Sequence, residues 1–316
     1  MRSKKRTRAF ALALLSCLVA AAGAQPAIDF SYAGYGGGGV SVPNVPAAIS
    51  VRPTGGDDTE LLQQAIDHVS ALPVRENGFR GAVLLRPGRY RVAGRLEMRT
   101  SGVVLRGGSG NATIVATGKG RRTLIEIGNV ADAATGPSVG VTDESAPAGS
   151  MALTLESGAG LRPGDRIVIT RPSTVAWIAA LGMSGLPGNY ANQRLDWVPG
   201  SRNLVWDRTV AAVDPARRQV TLDAPITTAM ERRYGGGTVA RVASGLPMAR
   251  AGIENLALES EYSAANPFDE QHSWNAVALD RVEDAWVRGI VARHFAGSAI
   301  RVGQRARRIT IEACRS

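Results

Sequence analysis

Seven polar side chains near the end of the sequence have the types that acid–base catalysis needs. They are Asp269, Glu270, His272, Asp280, Arg288, Arg293 and His294. Removing a proton from a carbon beside a carboxylate requires a base and a cation that stabilises the enolate-like anion, and histidine and arginine can fill those roles. The catalytic candidates for such a β-elimination are Arg288, His272, His294 and Asp269.

Hydrolysis remains open for the same region. It uses two carboxylates, one on each side of a glycosidic bond, and the candidates are Asp269, Glu270 and Asp280. For every residue in this set, a solvated face or an ion pair stacked along a sheet is the commoner explanation.

A second group of residues suits sugar binding. Four aromatic residues lie among amides and acids in the middle of the chain, namely Trp177, Tyr190, Trp197 and Trp206. Aromatic rings pack on the apolar face of a sugar while polar groups bond its hydroxyls. We predict that these four residues and Arg293 bind substrate. The alternative is that the Trp side chains fill the core of their own segment.

Several other chemistries lack their residues. The sequence has no GxSxG, HExxH or CxxC motif, so it does not support serine esterase or zinc chemistry. Asp57, Asp58 and Asp67 are close in sequence, but the cap and solvated face of a helix explain them better than metal ligation. We therefore predict no metal site from these residues.

The segment 1–24 has the features of a secretion signal. Basic residues occupy positions 2 to 8, an apolar run follows over 9–22, and Ala22-Gly23-Ala24 is a small-x-small cleavage site. A lipoprotein site at Cys17 is the less favoured alternative. We predict a periplasmic or secreted protein in which Cys314 is alone, so no intrachain disulfide forms.

The charge of the chain bears on its partners. The signal carries five of the 37 lysine and arginine residues and no acid, so its removal lowers the net charge from +10 to +5. A modest positive charge suits an anionic ligand such as a uronate polymer. We find no concentrated basic stripe and no second apolar run of membrane-spanning length. We therefore predict a polysaccharide partner, no nucleic acid, and no membrane association after signal removal.

The segment after the signal changes from a helical period to a strand period. Residues 25–50 are a Gly- and Pro-rich lead-in, for which a substrate loop is the alternative. Apolar residues from Leu61 to Val69 recur at helical spacing, Asp58 or Thr59 can cap the start, and Pro73 ends the run, so a helix is predicted over 59–71. Short apolar strands then recur up to about residue 130.

The C-terminal segment 246–316 contains a countable repeat. The positions of Val277 and Ile300 differ by 23, and those of Val287 and Ile311 differ by 24. Ile253 repeats the position of Val287 after a longer loop. Such periods suit coils of three short strands. Arg288, Glu254 and Glu312 would then point outward from one sheet, and Cys314 would be a small core residue. His272 and His294, whose positions differ by nearly one period, would lie on nearby coils.

Residues 131–245 break this pattern with longer strands and read as an inserted β subdomain. The predicted division is therefore 1–24 signal, 25–50 lead-in, 51–130 N-terminal cap and first coils, 131–245 insert, and 246–316 further coils. Because nothing near Ser316 resembles a cap, we expect the coils to continue beyond this sequence.

A resemblance to a known family follows from motifs between residues 57 and 107. Asp57-Asp58-Thr59, Gln64-Ala65-Ile66-Asp67, Pro87-Gly88-Arg89-Tyr90 and Ser101-Gly102-Val103-Val104-Leu105-Arg106-Gly107 occur in order. This series resembles the N-terminal signature of the pectate-lyase superfamily. The resemblance implies an all-β fold, a right-handed parallel β-helix with an N-terminal capping helix, here carrying an inserted small β subdomain.

The resemblance does not choose the reaction, because lyases, hydrolases, epimerases and phage tailspikes share the signature. It leaves a calcium cofactor open, although no Asp cluster for calcium is present. The Asp motifs and Gly-His-Gly of polygalacturonases are also absent. The expectation is a lyase that cleaves an acidic glycan by β-elimination. The alternatives are a glycoside hydrolase and a non-catalytic glycan-binding or tailspike-like protein.

Overall fold

The structure is a computed structural model that describes residues 30, 32–108, 111–157, 160–186, 195–266 and 268–316. Its N-terminal part, in chain order, consists of a 3₁₀ turn (Tyr35–Gly37), β1 (Ala47–Val51), α1 (Thr59–Ala71), β2 (Gly81–Leu85), β3 (Gly88–Val92), β4 (Leu96–Met98), β5 (Val103–Gly107), β6 (Ala112–Ala116) and β7 (Thr123–Ile127). The predicted signal over 1–24 lies outside the described residues.

An antiparallel segment follows. Its elements are β8 (Ala134–Gly140), β9 (Ser145–Ala146), β10 (Ala152–Thr154), β11 (Arg166–Arg171), α2 (Val175–Ala180), β12 (Leu204–Asp214), β13 (Gln219–Leu222), β14 (Met230–Glu231), a 3₁₀ turn (Arg232–Tyr234) and β15 (Thr238–Ser244). Six of these strands form one sheet in the order β10-β13-β12-β11-β15-β8, and β14 pairs with β9. The segment packs around its own apolar cluster, which includes Leu153, Ile167, Ile169 and Val220.

The last part returns to short strands. They are β16 (Met248–Glu254), β17 (Ala257–Ser260), β18 (Asn275–Leu279), β19 (Val282–Arg288), β20 (Val291–Arg293), β21 (Ser298–Val302) and β22 (Arg307–Glu312).

The short strands build three parallel sheets that the chain visits in rotation. Sheet A has the order β1-β2-β5-β16-β19-β22, sheet B has β3-β6-β17-β20, and sheet C has β4-β7-β18-β21. Each circuit contributes one strand to A, one to B and one to C. The strands are short because each crosses only one side of a coil, and this is the strand order of a β-helix.

The register agrees with the predicted repeat. Val277 pairs with Ile300 in sheet C, and Ile253, Val287 and Ile311 are successive partners in sheet A. Inward positions are apolar, so the stacked coils share one continuous core. Cys314 is half-buried and packs against that core, as its predicted position requires.

The predicted helix is present as α1, at Thr59–Ala71. Leu62, Ile66 and Val69 are fully buried in the core of the coils, and α1 contacts strands of sheets A and C. Burial of each such side chain contributes about 1.5–3 kcal/mol. The helix therefore covers apolar surface that the first coil would otherwise expose to water.

The start of this helix confirms Asp58 as the N-cap residue, but the Asp58 side chain makes no capping hydrogen bond. Asp58 occupies the N-cap position, but its buried carboxylate accepts hydrogen bonds from the backbone N–H groups of Thr54 at 2.8 Å and Arg91 at 3.2 Å. Asp57 instead accepts from the backbone N–H of Thr59 at 3.0 Å and from its hydroxyl at 2.6 Å. The pKa of Asp57 is lowered mainly by the hydrogen bond from the Thr59 hydroxyl, and the bond from the Thr59 backbone N–H adds to this effect. Slight desolvation acts in the opposite direction but is weaker.

Ion pairs hold the antiparallel segment against the coils. Arg166 Nη1 lies 2.8 Å from Glu283 Oε2, and Arg307 Nη2 lies 2.9 Å from Asp223 Oδ2. Arg305 binds Asp207 through both its Nε and its Nη2. Neither helix in the described part of the chain is long and apolar enough to cross a membrane.

The lead-in covers the outer face of sheet A. Trp286 is fully buried there, with its ring 5.2 Å from that of Tyr35 and 5.7 Å from that of Phe79, measured between centroids. Thr310 Oγ1 accepts a hydrogen bond from the backbone N–H of Tyr35 at 2.9 Å. The part of the outer face around Trp286 is therefore not exposed to solvent.

Candidate functional site

A cleft lies where the chain passes from sheet B to sheet C. Its volume is about 350 Å³, and it is lined by Tyr262, Phe268, Asp269, Glu270, His272, His294, Phe295 and Ala296. The loop between β17 and β18 supplies the first five residues, and the loop between β20 and β21 supplies the others. We call it the histidine cleft.

Coil stacking brings the two loops together. Ala296 N–H donates to Ser273 O at 3.2 Å, and Gly297 N–H donates to Trp274 O at 2.8 Å. The structure thus unites three of the four predicted catalytic residues, Asp269, His272 and His294.

His272 holds the first loop in place. Its ring is buried, with Nε2 3.0 Å from the carbonyl oxygen of Asp269 and Nδ1 3.0 Å from Ser260 Oγ. A carbonyl oxygen only accepts, so Nε2 donates to it, while Nδ1 makes a hydrogen bond with the Ser260 hydroxyl, which also lies 3.2 Å from the carbonyl oxygen of Glu261. Both ring nitrogens therefore have partners, and His272 holds in place the loop that lines the cleft.

Asp269 also braces this loop. Its carboxylate accepts from the backbone N–H of Gln271 at 3.0 Å and of Ser263 at 3.1 Å. These two hydrogen bonds lower the pKa of Asp269. A carboxylate stabilised in its ionised form is a weak base at neutral pH.

His294 is the imidazole of the cleft with unoccupied nitrogens. Its exposed ring stacks on that of Tyr262, with centroids 4.7 Å apart and planes 27° apart. Among the described residues, no hydrogen bond or ion pair engages either ring nitrogen. The backbone at His294 has φ 62°, a left-handed conformation in which histidine, like Asn and Asp, is found more often than most residues other than Gly.

The other carboxylates of the region have partners. Glu270 forms an ion pair with Arg121, whose guanidinium lies 4.8 Å above the Trp274 ring. Asp280 binds Arg301 and accepts from the backbone N–H of Gln304, and it does not line the cleft. The described part of the cleft therefore lacks a pair of free carboxylates facing each other.

Arg288 lies away from the histidine cleft. Its Nε is 2.5 Å from Glu254 Oε2, and Arg106 Nε is 2.6 Å from Glu254 Oε1. Glu254 is only 1% exposed and also accepts from Trp286 Nε1 at 3.1 Å. Glu254, Arg288 and Glu312 are successive register partners, as predicted, and Arg106 lies next to Glu254 in the same column.

The predicted aromatic residues do not form one group. Trp177 and Trp197 have ring centroids 5.8 Å apart, with the Arg171 guanidinium 4.1 Å from the Trp177 ring. Trp206 is buried in the core of the antiparallel segment and donates to Thr227 Oγ1 at 2.9 Å. This position agrees with the alternative prediction that the Trp side chains fill the core of their own segment. Tyr190 lies outside the described residues.

Arg293, the last predicted substrate-binding residue, pairs with Glu259 at 3.1 Å on the outer face of sheet B. It immediately precedes His294 in the chain.

Sequence reasoning missed three aromatic residues of the histidine cleft, Tyr262, Phe268 and Phe295, of which the first two are exposed. Phe268 is 87% exposed and Tyr262 is 45% exposed. Their presence in an otherwise polar loop, next to His272, was the only available signal. Exposed rings beside an imidazole can receive the apolar face of a sugar.

Comparison with known proteins found similarity only at the level of solved structures. No protein-family model and no curated protein matches the sequence. The similar structures are phage tailspikes. Gp61 of Pseudomonas phage phi297 has 14% identity and a TM-score of 0.42, with 74% of this chain and 31% of the tailspike covered.

Two further tailspikes have similar values. Gp54 of Acinetobacter baumannii bacteriophage AP22, in complex with A. baumannii capsular saccharide, has 10% identity and a TM-score of 0.39, with 82% and 44% covered. Gp49 of Pseudomonas phage LKA1 has 15% identity and a TM-score of 0.33, with 79% and 39% covered. The chain spans less than half the length of each, and these low scores add nothing to what the topology establishes.

Proposed function

We propose that this chain is an exported, right-handed parallel β-helix protein that cleaves an acidic glycan by β-elimination, with His294 as the base. The observation that carries the proposal is the imidazole of His294, whose nitrogens have no partner among the described residues, beside two exposed aromatic rings in the histidine cleft. An imidazole can take up and release a proton at neutral pH, which suits a catalytic base.

The reaction would use His294 as follows. A ring nitrogen takes the proton from the sugar carbon that bears the carboxylate, and the glycosidic oxygen is attached to the next carbon of the ring. The electron pair left on carbon forms a double bond as the bond to the glycosidic oxygen breaks, and that oxygen leaves as an alkoxide that takes up a proton. His272 and Asp269 keep the loop in shape, while Tyr262 and Phe268 pack against the sugar.

A glycoside hydrolase on the same fold has weaker support. The two carboxylates in the cleft are consecutive residues, and each is engaged, Asp269 by backbone N–H groups and Glu270 by Arg121. Hydrolysis needs carboxyl groups on opposite sides of the bond.

A non-catalytic glycan-binding protein, like a tailspike in its use of a β-helix, is the second candidate. One observation favours it, because Arg121 is already paired with the lining residue Glu270 and is not a free cation. Elimination requires a cation that stabilises the developing anion, whereas binding alone does not.

Product analysis of the full chain separates these functions. Incubation with a panel of uronate polymers should produce unsaturated, ultraviolet-absorbing ends, and His294→Ala should abolish them. His68→Ala is the matched control, because His68 is exposed on α1. New reducing ends without ultraviolet absorbance would indicate a hydrolase. Binding without either product would indicate the non-catalytic protein.

A further inference from the structure

A charged groove lies on the outer face of sheet B, separate from the histidine cleft. Its volume is about 620 Å³, and its lining includes Gly88, Arg89, Thr113, Ala257, Glu259 and Arg293. These residues come from four adjacent strands, β3, β6, β17 and β20, or from the turns before them. The floor consists of small side chains, and the charged residues stand above it.

One carboxylate is shared by two arginines in this groove. Arg89 Nη2 lies 2.7 Å from Glu259 Oε2, and Arg293 Nη1 lies 3.1 Å from Glu259 Oε1. Although partial burial acts to raise it, the two guanidinium groups hold the pKa of Glu259 below its usual value. The three side chains together carry a net charge of +1.

The arginines are accessible although they are paired. The side chains of Arg89 and Arg293 are 63% and 55% exposed, against 19% for Glu259. Exposed ion pairs contribute little to stability, so an incoming carboxylate can share or replace Glu259. A guanidinium has several donors in a planar fork, which allows it to bind two carboxylates at once.

Register places this groove next to the histidine cleft. Glu259 and Arg293 are direct partners in adjacent strands. Arg89 lies on β3, which is separated from β17 by β6, so the two strands are about 10 Å apart. The side chains of Arg89 and Glu259 meet above β6. Because His294 follows Arg293, the groove and the cleft lie along the same short strands of sheet B.

We propose that the outer face of sheet B binds the carboxylate groups of the glycan, with Arg89 and Arg293 as the binding cations and Glu259 as an internal competitor. This inference rests on the proposed function, since it names the part of the molecule that selects an acidic substrate. It predicts opposite effects for the loss of an arginine and the loss of the competing carboxylate.

The test is the dissociation constant of a galacturonate trimer, measured by titration calorimetry on the full chain. Arg293→Gln should weaken binding about tenfold, the loss of one charge-assisted hydrogen bond. Glu259→Gln should strengthen binding several-fold, because it frees both guanidinium groups. Arg301→Gln is the matched control, since Arg301 forms a pair of similar exposure with Asp280 on sheet C. A trimer with its carboxyl groups reduced to alcohols should bind all four proteins alike.

This experiment separates a failure of the groove proposal from a failure of the lyase proposal. Opposite signs for Arg293→Gln and Glu259→Gln without any unsaturated product would support the groove and overturn the lyase. Unsaturated product with unchanged dissociation constants in both variants would overturn the groove and leave the lyase. Weaker binding in both variants would also overturn the groove, because it indicates a structural role. No binding of the trimer by the wild-type chain would contradict both proposals.

Discussion

Tyr262 and His294 belong to different coils of the chain, yet their rings stack with centroids 4.7 Å apart. The contact exists because the loops after β17 and β20 follow strands that are direct neighbours in sheet B. It fixes the orientation of an imidazole whose nitrogens have no partner among the described residues.

Loss of this stack should lower turnover without abolishing it. We expect Tyr262→Ala to reduce kcat/KM by about threefold to tenfold, because aromatic pairs contribute about 0.5–1.5 kcal/mol. Tyr262→Phe keeps the ring and should stay close to wild type. Steady-state kinetics on a uronate polymer provide the measurement. Equal impairment of the two variants would assign the role to the hydroxyl group instead of the ring.

Arg288 should matter for stability and not for turnover. Arg288→Ala leaves the buried carboxylate of Glu254 with Arg106 and Trp286 alone, so the free energy of unfolding should fall by roughly 1–3 kcal/mol. Turnover should be nearly normal, since Arg288 does not line the histidine cleft. Arg301→Ala removes an exposed pair and should cost at most about 1 kcal/mol. Turnover reduced by orders of magnitude in a folded Arg288→Ala protein would contradict the placement.

Gly252 should not tolerate a side chain. A Cβ built there would lie 2.2 Å from the Trp286 indole, which packs over the backbone of the neighbouring coil. We expect Gly252→Ala to lower the free energy of unfolding by about 1–3 kcal/mol through overpacking. The same substitution at Gly136, where the nearest atom is 3.8 Å away, is the control for denaturant unfolding. Equal stabilities of the two variants would show that Trp286 does not occupy this position.

Asp269 should make stability depend on acid pH. The pKa of Asp269 is lower in the folded chain than in the unfolded chain, where it is about 4. The stability that the charged carboxylate contributes is therefore fully present above about pH 4 and is lost as the pH falls through the folded-state pKa. Asp269→Asn should therefore lower the Tm at pH 7, and the difference from wild type should shrink below pH 4. A difference that stays constant from pH 7 to pH 3 would show that the charge of Asp269 has no role.

The repeating parts of the fold could be predicted, because their pattern is local. The helix over 59–71 follows from apolar spacing and Pro73, and Val277 with Ile300 follows from inward positions that recur once per coil. The environment of Arg288 could not be predicted. Its outward direction was correct, but the lead-in covers part of that column, where Arg106 donates to Asn44 Oδ1 at 3.1 Å and to the carbonyl oxygen of Val45, and this depends on tertiary packing.

The candidate site divides in the same way. The spacing of His272 and His294, close to one period of the repeat, predicted that they lie on nearby coils, and both line one cleft. Their different roles were invisible in the sequence, because Ser260 and the backbone of Asp269 occupy the nitrogens of His272 alone. Burial of one ring and exposure of the other decide which is available to a substrate.

The most direct test of the account is the pH dependence of kcat/KM for release of ultraviolet-absorbing ends from a uronate polymer. With His294 as the base, log kcat/KM of wild type and of His68→Ala should rise with pH with slope one and then reach a plateau. His294→Ala should lose about 10²- to 10⁴-fold at the plateau and lose that pH dependence. An unchanged rate and an unchanged pH profile in His294→Ala would contradict the claim that this imidazole takes the proton.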